Sequence, residues 1–431
     1  MPSENVIMQG HLLDSLMLPN VLDEIIDHGG TFEILELDVG VTHTDESFSR
    51  IKVSTSTADG LVSLLDKLRQ HGANPETVEN ATIVQTDHDG AFPPGFYSTT
   101  NLETQVRVQD RWIDVRHPEM DCGIVVEEDT ARTIAMSDVE NGMAIVMSGL
   151  GIRVFSPSKP RADAPQAFEF MSSDISSEKP KGLLVDRVAE QIRSIHSAGR
   201  RILWVAGPAV VHTGSAPDIC TLIKAGYVQA FFAGNGVAAH DIESNMFGTS
   251  LGIKLTEGVP AEHGHEHHIR AINEIRRHGS FRAAIDAGVF GDGIVYHLVT
   301  SGIDYLFGGS VRDDGPLPEV VSDMNEVQRR LRALIWGPDG NDLVGMCIVV
   351  GTMLHGIATG NCLPASVPLV CVDINQATVT KLMDRGSFQS MGIITDVGLF
   401  VRELAEILAP GEVRAAAADA ATRIAGSQTR R

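Results

Sequence analysis

The sequence predicts an α/β protein of two domains, in which a doubly wound parallel-sheet domain follows a smaller N-terminal α+β domain. At 431 residues the chain exceeds the size at which a single hydrophobic core stops growing. In the second half, near-continuous apolar strands alternate with amphipathic helices, which is typical of a parallel sheet covered on both faces. Residues 156–166 are rich in proline, serine and charge, as linkers are. We therefore predict domains at 1–165 and 180–411, and a frayed or disordered tail at 412–431.

Short alternating segments dominate the first half. Residues 32–38 and 50–54 alternate like half-buried strands, and 58–72 has apolar residues at helical spacing. A further strand is predicted at 81–85, behind this β-β-α opening. Residues 95–155 read as short strands broken by turn residues, which predicts a small β-rich unit.

The composition restricts the class of partner. The formal net charge is −22, so most of the surface should repel nucleic acid and anionic membranes. The longest apolar run, 343–359, contains His355 and is shorter than a membrane helix requires; we interpret it as a buried strand and turn. Five cysteines without a C-x-x-C pair indicate a reducing compartment, and the first residues do not resemble a signal peptide. We expect a cytoplasmic homo-oligomer.

Glycine and polar residues follow five buried strands of the second half. In open α/β sheets, ligands bind outside the carboxyl ends of strands, where backbone N–H groups can approach phosphates and carboxylates can bind ribose hydroxyls. No G-x-G-x-x-G is present, so each turn alone is explained as well by ordinary structure. Together they predict a nucleotide site. Its candidate residues are Thr213, Gly234, Asn235, Gly236, Thr352, Met353, Leu354, His355, Asp373, Asn375 and Asp396.

The segment EHGHEHH at 262–268 raises the question of a metal site. Its spacing differs from H-E-x-x-H, which places two ligands one helical turn apart. A solvated loop and a contact with substrate or cofactor remain open as alternatives. We predict that no metal is needed.

Two segments of the first half and the linker carry further candidates. PEMDCGIVV places Glu119, Asp121 and Cys122 before a strand. Cys122 would need a nearby base to act as a nucleophile, and a buried thiol is the simpler interpretation. Lys179, beside the domain boundary, is either a solvated side chain or a functional one.

Segments along nearly the whole chain, from about residue 6 to 408, resemble the LOR/SDH conserved-region family. They are MQGHLLDSLMLPNVLD, FYSTTNLETQVRV, PEMDCGIVV, SSEKP, VAGPAVVHTGSAPD, AGNGVAAHDIE, RDDGPLPEV and VCVDINQATVTKLMDRG. This family includes archaeal-type ornithine cyclodeaminases and the C-terminal part of cyanobacterial arginine dihydrolase fusions. The resemblance implies conversion of L-ornithine to L-proline and ammonia, with NAD reduced and reoxidised in each turnover.

A more distant likeness concerns the nucleotide site. The segment AVVHTGSAPDICTLIKAGYVQAFFAGNG and the closing ITDVGLFVRELAEIL resemble deoxyhypusine synthase around its NAD, which implies a Rossmann variant of that type. This resemblance implies that Thr213, Gly234, Asn235, Asp396 and Val397 contact the cofactor. Asp313 joins the remaining candidates from the same edge.

The implied reaction makes three demands on the protein. It needs a carboxylate for the δ-ammonium group, a base for the α-ammonium group and a cover against water. The candidates are His240, Asp241, Asp314, Glu119 and Asp121, with the small domain as the cover. The alternatives are an NAD-dependent dehydrogenase or synthase for another amino acid, and a non-catalytic module that senses NAD or an amino acid.

Overall fold

The computed structural model describes residues 1–10, 12, 17–41, 45–155, 181–255, 258–262, 264–311, 315–384 and 390–414. These residues form two compact units. The first contains residues 1–155 together with Asn361–Ser366, and the second contains the rest. The predicted linker at 156–180 lies outside the described residues, as does most of the predicted tail; residues 412–414 are helical.

The first unit opens with a four-stranded antiparallel sheet in the order β2-β3-β1-β4. Its elements are β1 (Ser3–Gly10), α1 (Met17–Asp27), β2 (Thr31–Asp38), β3 (Ser47–Ser54), α2 (Ala58–Gln70) and β4 (Asn74–Pro75). Alternation buries Val6 and Ile51 on one face, where they pack with Leu64 and Leu68 of α2. Thr57 caps α2, because its hydroxyl accepts a hydrogen bond from the Gly60 N–H.

The second sheet of this unit has seven strands in the order β11-β6-β7-β9-β8-β10-β5. They are β5 (Ile83–Gln85), β6 (Glu103–Val108), β7 (Arg111–Arg116), β8 (Gly123–Glu127), β9 (Thr130–Ile134), β10 (Ala144–Val146) and β11 (Ile152–Phe155). Neighbouring strands are antiparallel except β7 and β9. The strand predicted at 81–85 therefore belongs to this sheet, and its predicted place behind the β-β-α opening was wrong.

The second unit is built on a seven-stranded parallel sheet in the order β17-β16-β13-β12-β18-β19-β20. Its strands are β12 (Ile202–Ala206), β13 (Ala230–Gly234), β16 (Asp304–Gly308), β17 (Val320–Val321), β18 (Met346–Val350), β19 (Leu369–Asp373) and β20 (Ser390–Ile394), with a separate hairpin of β14 (Thr249–Ser250) and β15 (Ile253–Lys254). The α/β class with a parallel sheet is thereby confirmed.

Helices alternate with these strands. They are α3 (Lys181–Ser197), α4 (Ala209–His212), α5 (Ala216–Lys224), α6 (Asn235–Phe247), α7 (His267–His278), α8 (Phe281–Asp286), α9 (Ile294–Ser301), α10 (Met324–Trp336), α11 (Leu354–Cys362), α12 (Gln376–Asp384) and α13 (Val397–Leu408). The central strands β12 and β18 are buried at every residue. The apolar run at 343–359 forms β18 and most of α11 rather than a strand and turn, because helical residues directly follow the turn at Gly351. No helix in the described part of the chain is long and apolar enough to cross a membrane.

Candidate active site at the carboxyl edge of the parallel sheet

Glycines end four adjacent strands of the parallel sheet at the same level. Gly234 pairs with Gly308. The registers of β12, β13 and β18 place Gly207 and Gly351 at the next positions of the same row. On β19 the row continues with Asp373. A row without side chains leaves the backbone of this edge open to a ligand.

The order of the strands changes direction in the middle of this row. From β12 the chain moves outward to β13 and β16 on one side, and it returns on the other side as β18 and β19. Gly207 and Gly351 therefore lie at a topological switch point, where open α/β sheets bind ligands. The two loops touch there, since a Cβ atom on Gly207 would lie 1.9 Å from the carbonyl oxygen of Gly351.

Three of the predicted cofactor residues, Thr213, Asp396 and Val397, gather on one side of the switch point. A Cβ atom on Gly398 would lie 2.9 Å from Oγ1 of Thr213 and 3.1 Å from Oδ1 of Asp396. A Cβ atom on Gly351 would lie 3.3 Å from Cγ2 of Val397. Thr213, Gly351, Asp396 and Val397 thus form one group around the start of α13.

The carboxylates of this edge also make local hydrogen bonds. Oδ1 of Asp373 accepts from the N–H of Asn375 at 2.8 Å, and Oδ1 of Asn375 accepts from the N–H of Ala377 at 2.9 Å. Oδ1 of Asp396 accepts from the N–H of Leu399 at 3.0 Å and caps α13. One carboxylate oxygen of Asp373 and one of Asp396 therefore stabilise the local backbone.

His355 and Asn235 occupy the other side of the switch point. A Cβ atom on Gly234 would lie 2.9 Å from Cε1 of His355. Burial lowers the pKa of His355, whose ring lies 4.7 Å from that of Phe232. Asn235 is 5% exposed, and its Oδ1 accepts from the N–H of Leu317 at 3.1 Å. The carbonyl of Asn235 therefore holds the 315–317 segment in place.

The remaining predicted residues of this edge differ in exposure. Met353 and Leu354 are exposed, Thr352 is half-buried, and Gly236 is the second residue of α6. Asp313 and Asp314 lie outside the described residues, as does Lys179.

His240 and Glu243 form a hydrogen-bonded pair on α6. His240 lies five residues beyond Asn235, about 7.5 Å along the helix. Its Nδ1 lies 2.8 Å from Oε2 of Glu243, which fixes Nδ1 as the donor and leaves Nε2 as the acceptor. No partner for Nε2 of His240 is found within the part of the chain that the structure describes.

Glu243 is fully buried and held by further donors. Its Oε1 accepts from Oγ1 of Thr249 and from the N–H of Gly252, each at 2.9 Å. Burial alone would raise the pKa of Glu243, but the hydrogen bonds from His240, Gly252 and Thr249 outweigh burial and lower it. Glu243 is therefore an anchored anion beside the imidazole of His240. Glu243 is not among the predicted residues, although its i,i+3 spacing from His240 places the two side chains on one face of the helix.

Three more histidines surround this pair. The ring centroid of His212, at the end of α4, lies 4.9 Å from that of His240, and that of His268 lies 6.2 Å away. Nδ1 of His267 lies 2.8 Å from Oγ1 of Thr249. Burial is the main cause that lowers the pKa of His212. The segment at 262–268 thus contributes two side chains to the cluster, whereas His265 is exposed.

Asp241, a further residue predicted to be catalytic, contacts the start of α9. It is fully buried, and its two carboxylate oxygens accept from the N–H groups of Ile294 and Val295 at 3.0 and 2.8 Å. Burial raises its pKa to about 7, against these two hydrogen bonds. Asp241 caps the start of α9, so we withdraw it as the carboxylate that contacts substrate.

Glu119 and Asp121 belong to the first unit. Glu119 is buried, and its carbonyl oxygen accepts from the hydroxyl of Thr99 at 2.7 Å. Oδ2 of Asp121 lies 3.4 Å from Nδ2 of Asn361, within the same unit. Cys122 is a buried thiol of the same unit.

One group of possible metal ligands occurs among the described residues. Ligand atoms of Cys220, Asp292 and His297 lie within 4.8 Å of one another. Oδ1 of Asp292 accepts from Nε2 of His297 at 2.9 Å, and this hydrogen bond is the main cause that lowers the pKa of Asp292 to about 2. The group is separate from the 262–268 segment.

The parallel sheet and its glycine row define a Rossmann-fold protein. Residues 186–404 match the C-terminal Rossmann fold of ArgZ-like arginine dihydrolases, and residues 103–185 match the first region of that C-terminal part. Residues 3–102 match the LOR/SDH bifunctional enzyme conserved region. An ornithine cyclodeaminase of Methanothermobacter thermautotrophicus is 44% identical over 403 residues, which cover 93% of this chain and 96% of that protein. The chain therefore belongs to the ornithine cyclodeaminase family of enzymes, and the predicted family is confirmed.

Solved structures agree with this assignment. Apo ArgZ, a cyanobacterial arginine dihydrolase, is 34% identical with a TM-score of 0.81, over 94% of this chain and 58% of ArgZ. The ternary complex of AgrE with ornithine and NAD⁺ is 36% identical with a TM-score of 0.51, over 94% of this chain and 57% of AgrE. A deoxyhypusine synthase from Entamoeba histolytica matches with a TM-score of only 0.35, so the predicted likeness to that enzyme stays a prediction.

Proposed function

We propose that this chain converts L-ornithine to L-proline and ammonia, with NAD bound at the carboxyl edge of the parallel sheet. The observation that carries the proposal is the row of four glycines at the switch point. It occurs in a chain that is 44% identical to an ornithine cyclodeaminase over 93% of its length. The AgrE complex, which contains both ornithine and NAD⁺, supports the same substrate and cofactor.

The residues at this edge fit a dinucleotide. Glycine leaves the backbone of the row open to a pyrophosphate, and the first-turn N–H groups of α6 and α11 follow directly after two of its loops. Residues proposed to hold the cofactor are Thr213, Gly234, Asn235, Gly236, Thr352, Met353, Leu354, His355, Asp373, Asn375, Asp396 and Val397, with Asp313 beyond the described part. Bound NAD would accept a hydride from Cα of ornithine and return it to the cyclic imine.

We assign the proton transfers to His240. The anion of Glu243 fixes the proton of this imidazole on Nδ1, so that Nε2 is free to take a proton from the α-ammonium group. The same nitrogen can return that proton to the departing ammonia. His212, whose pKa is lowered by burial, lies beside the ring as a neutral neighbour.

The δ-ammonium group of ornithine requires a carboxylate. With Asp241 committed to α9, Asp314, Glu119 and Asp121 remain the proposed partners. A cover of the site by the small domain remains part of the proposal.

A product assay over ornithine, lysine, arginine and 2,4-diaminobutyrate tests the function. We expect proline and ammonia from ornithine at catalytic NAD⁺, without net NADH. Net NADH with another amino acid would identify a dehydrogenase, and binding without turnover would identify a sensor; either result contradicts the proposal.

A further inference from the structure

A cavity of about 790 Å³ lies within the first unit, apart from every residue of the glycine row. Its lining comes from both sheets of that unit and from the segment Asn361–Ser366. This volume falls in the range of small-molecule sites.

Two groups of opposite charge lie on one face of the second sheet, in the cavity lining. Arg153 is paired with Gln105 across β11 and β6, and Glu103 precedes Gln105 by two positions, so Arg153 and Glu103 are diagonal neighbours. Diagonal neighbours have Cα atoms roughly 7–8 Å apart. Within the described residues, neither the Arg153 guanidinium nor the Glu103 carboxylate has an ion-pair partner. The guanidinium lies 3.5 Å from the centroid of the Trp112 ring, which holds it in place.

A buried amide supplies a third polar group. Asn101 lines the cavity and is 7% exposed, and its Nδ2 has no hydrogen-bond acceptor among the described residues. A buried donor without an acceptor is destabilising, and a ligand oxygen that accepts from it would relieve this cost. Asn101 and Arg153 together therefore favour an anionic group such as a carboxylate.

The first sheet contributes negative charge and apolar surface. Glu46 and Glu76 line the cavity. Oε2 of Glu46 accepts a hydrogen bond from Gln9 at 2.8 Å, and Glu76 forms an ion pair with Arg50 at 3.1 Å. Because Arg50 compensates Glu76, the lining sets the carboxylates of Glu46 and Glu103 against the guanidinium of Arg153, and this balance favours a ligand with net positive charge.

We propose that this cavity binds a basic α-amino acid, with arginine, lysine and ornithine as the chemical class. The α-carboxylate binds Arg153 and Asn101, and the α-ammonium binds Glu103. The methylene chain lies on apolar lining such as Phe48 and Phe155, and the terminal cation meets Glu46 and Glu76.

Calorimetric titration of the full-length protein with L-arginine tests the site. NAD⁺ and L-proline are kept present, so that a substrate site at the parallel sheet is occupied. We expect one saturable site per chain for L-arginine. Putrescine, which lacks the carboxylate, and norleucine, which lacks the terminal cation, should each bind about tenfold more weakly than L-arginine, or weaker still.

Variants locate the binding in the cavity. Arg153→Met and Glu103→Gln should each weaken arginine binding about tenfold or more, and Arg153→Lys should weaken it less. The matched controls are Arg132→Met, at a half-buried position of β9, and Glu128→Gln, in the exposed turn between β8 and β9. Both positions lie outside the cavity lining, and both variants should bind arginine like the unmodified protein. If Arg153→Met does not fold, Glu103→Gln carries the test. Absence of saturable binding, or binding unchanged in the folded cavity variants, would overturn the proposal.

Discussion

At the scale of single residues, substitutions of His240 and Glu243 test the proposed proton transfers most directly. His240→Asn should lower kcat about 100-fold or more, because a positioned general base contributes on this order. Glu243→Gln should lower kcat less, because the amide no longer fixes the imidazole proton on Nδ1 of His240. Initial rates at saturating ornithine measure both effects.

A second histidine–carboxylate pair provides the control for this experiment. Oε1 of Glu274 lies 3.3 Å from Nε2 of His278 on α7, away from the cluster. Glu274→Gln should leave kcat unchanged. An equal loss of kcat in both glutamine variants would rule out a special role for Glu243.

Asp373 tests the adenosine side of the site. We expect its free carboxylate oxygen to accept a hydrogen bond from a ribose hydroxyl, so that Asp373→Ala weakens NAD binding about tenfold or more. Asp373→Asn retains an acceptor for the N–H of Asn375 and separates the loss of charge from the loss of the turn. Fluorescence titration with NADH measures the Kd, and an unchanged Kd in both variants would exclude this role.

At the scale of elements, the contact between the β12 and β18 loops is the feature to perturb. In Gly207→Ala the new methyl group would lie 1.9 Å from the Gly351 carbonyl oxygen, so the two loops must separate. We expect a lower melting temperature and weaker NAD binding. Gly182→Ala, on α3 with no atom within 4 Å of the new methyl group, should retain NAD binding and should not lower the melting temperature, because alanine favours the helix. Equal behaviour of the two variants would contradict this account of the switch point.

Elements with a strong apolar pattern were predictable from the sequence. The strands β12, β13, β18 and β19 are continuous apolar runs bounded by glycine or aspartate, and the structure has strands at these positions. Strand β1 and helix α1 were missed, because their polar residues interrupt the two-residue period of a strand and the 3.6-residue period of a helix. The strand at 81–85 was found but assigned to the wrong neighbours, since pairing in an antiparallel sheet depends on contacts distant in sequence.

For side chains too, local features could be predicted from the sequence, whereas contacts between distant residues could not. The turns that carry Thr213, Asp373 and Asp396 could be read from single strand ends. That Asp241 caps α9 could not, because 53 and 54 residues separate it from its two backbone donors. The convergence of His212 with His240 likewise depends on how α4 packs against α6, which no local pattern encodes.

At the scale of the whole molecule, the account rests on one cofactor that is reduced and reoxidised within a single turnover. The most direct test is turnover of L-[2-²H]ornithine with catalytic NAD⁺ and excess unlabelled NADH. We predict proline that keeps its deuterium at Cα, because the reduced cofactor stays bound until the cyclic imine is formed. Proline without deuterium, accompanied by deuterated NADH in solution, would contradict the account.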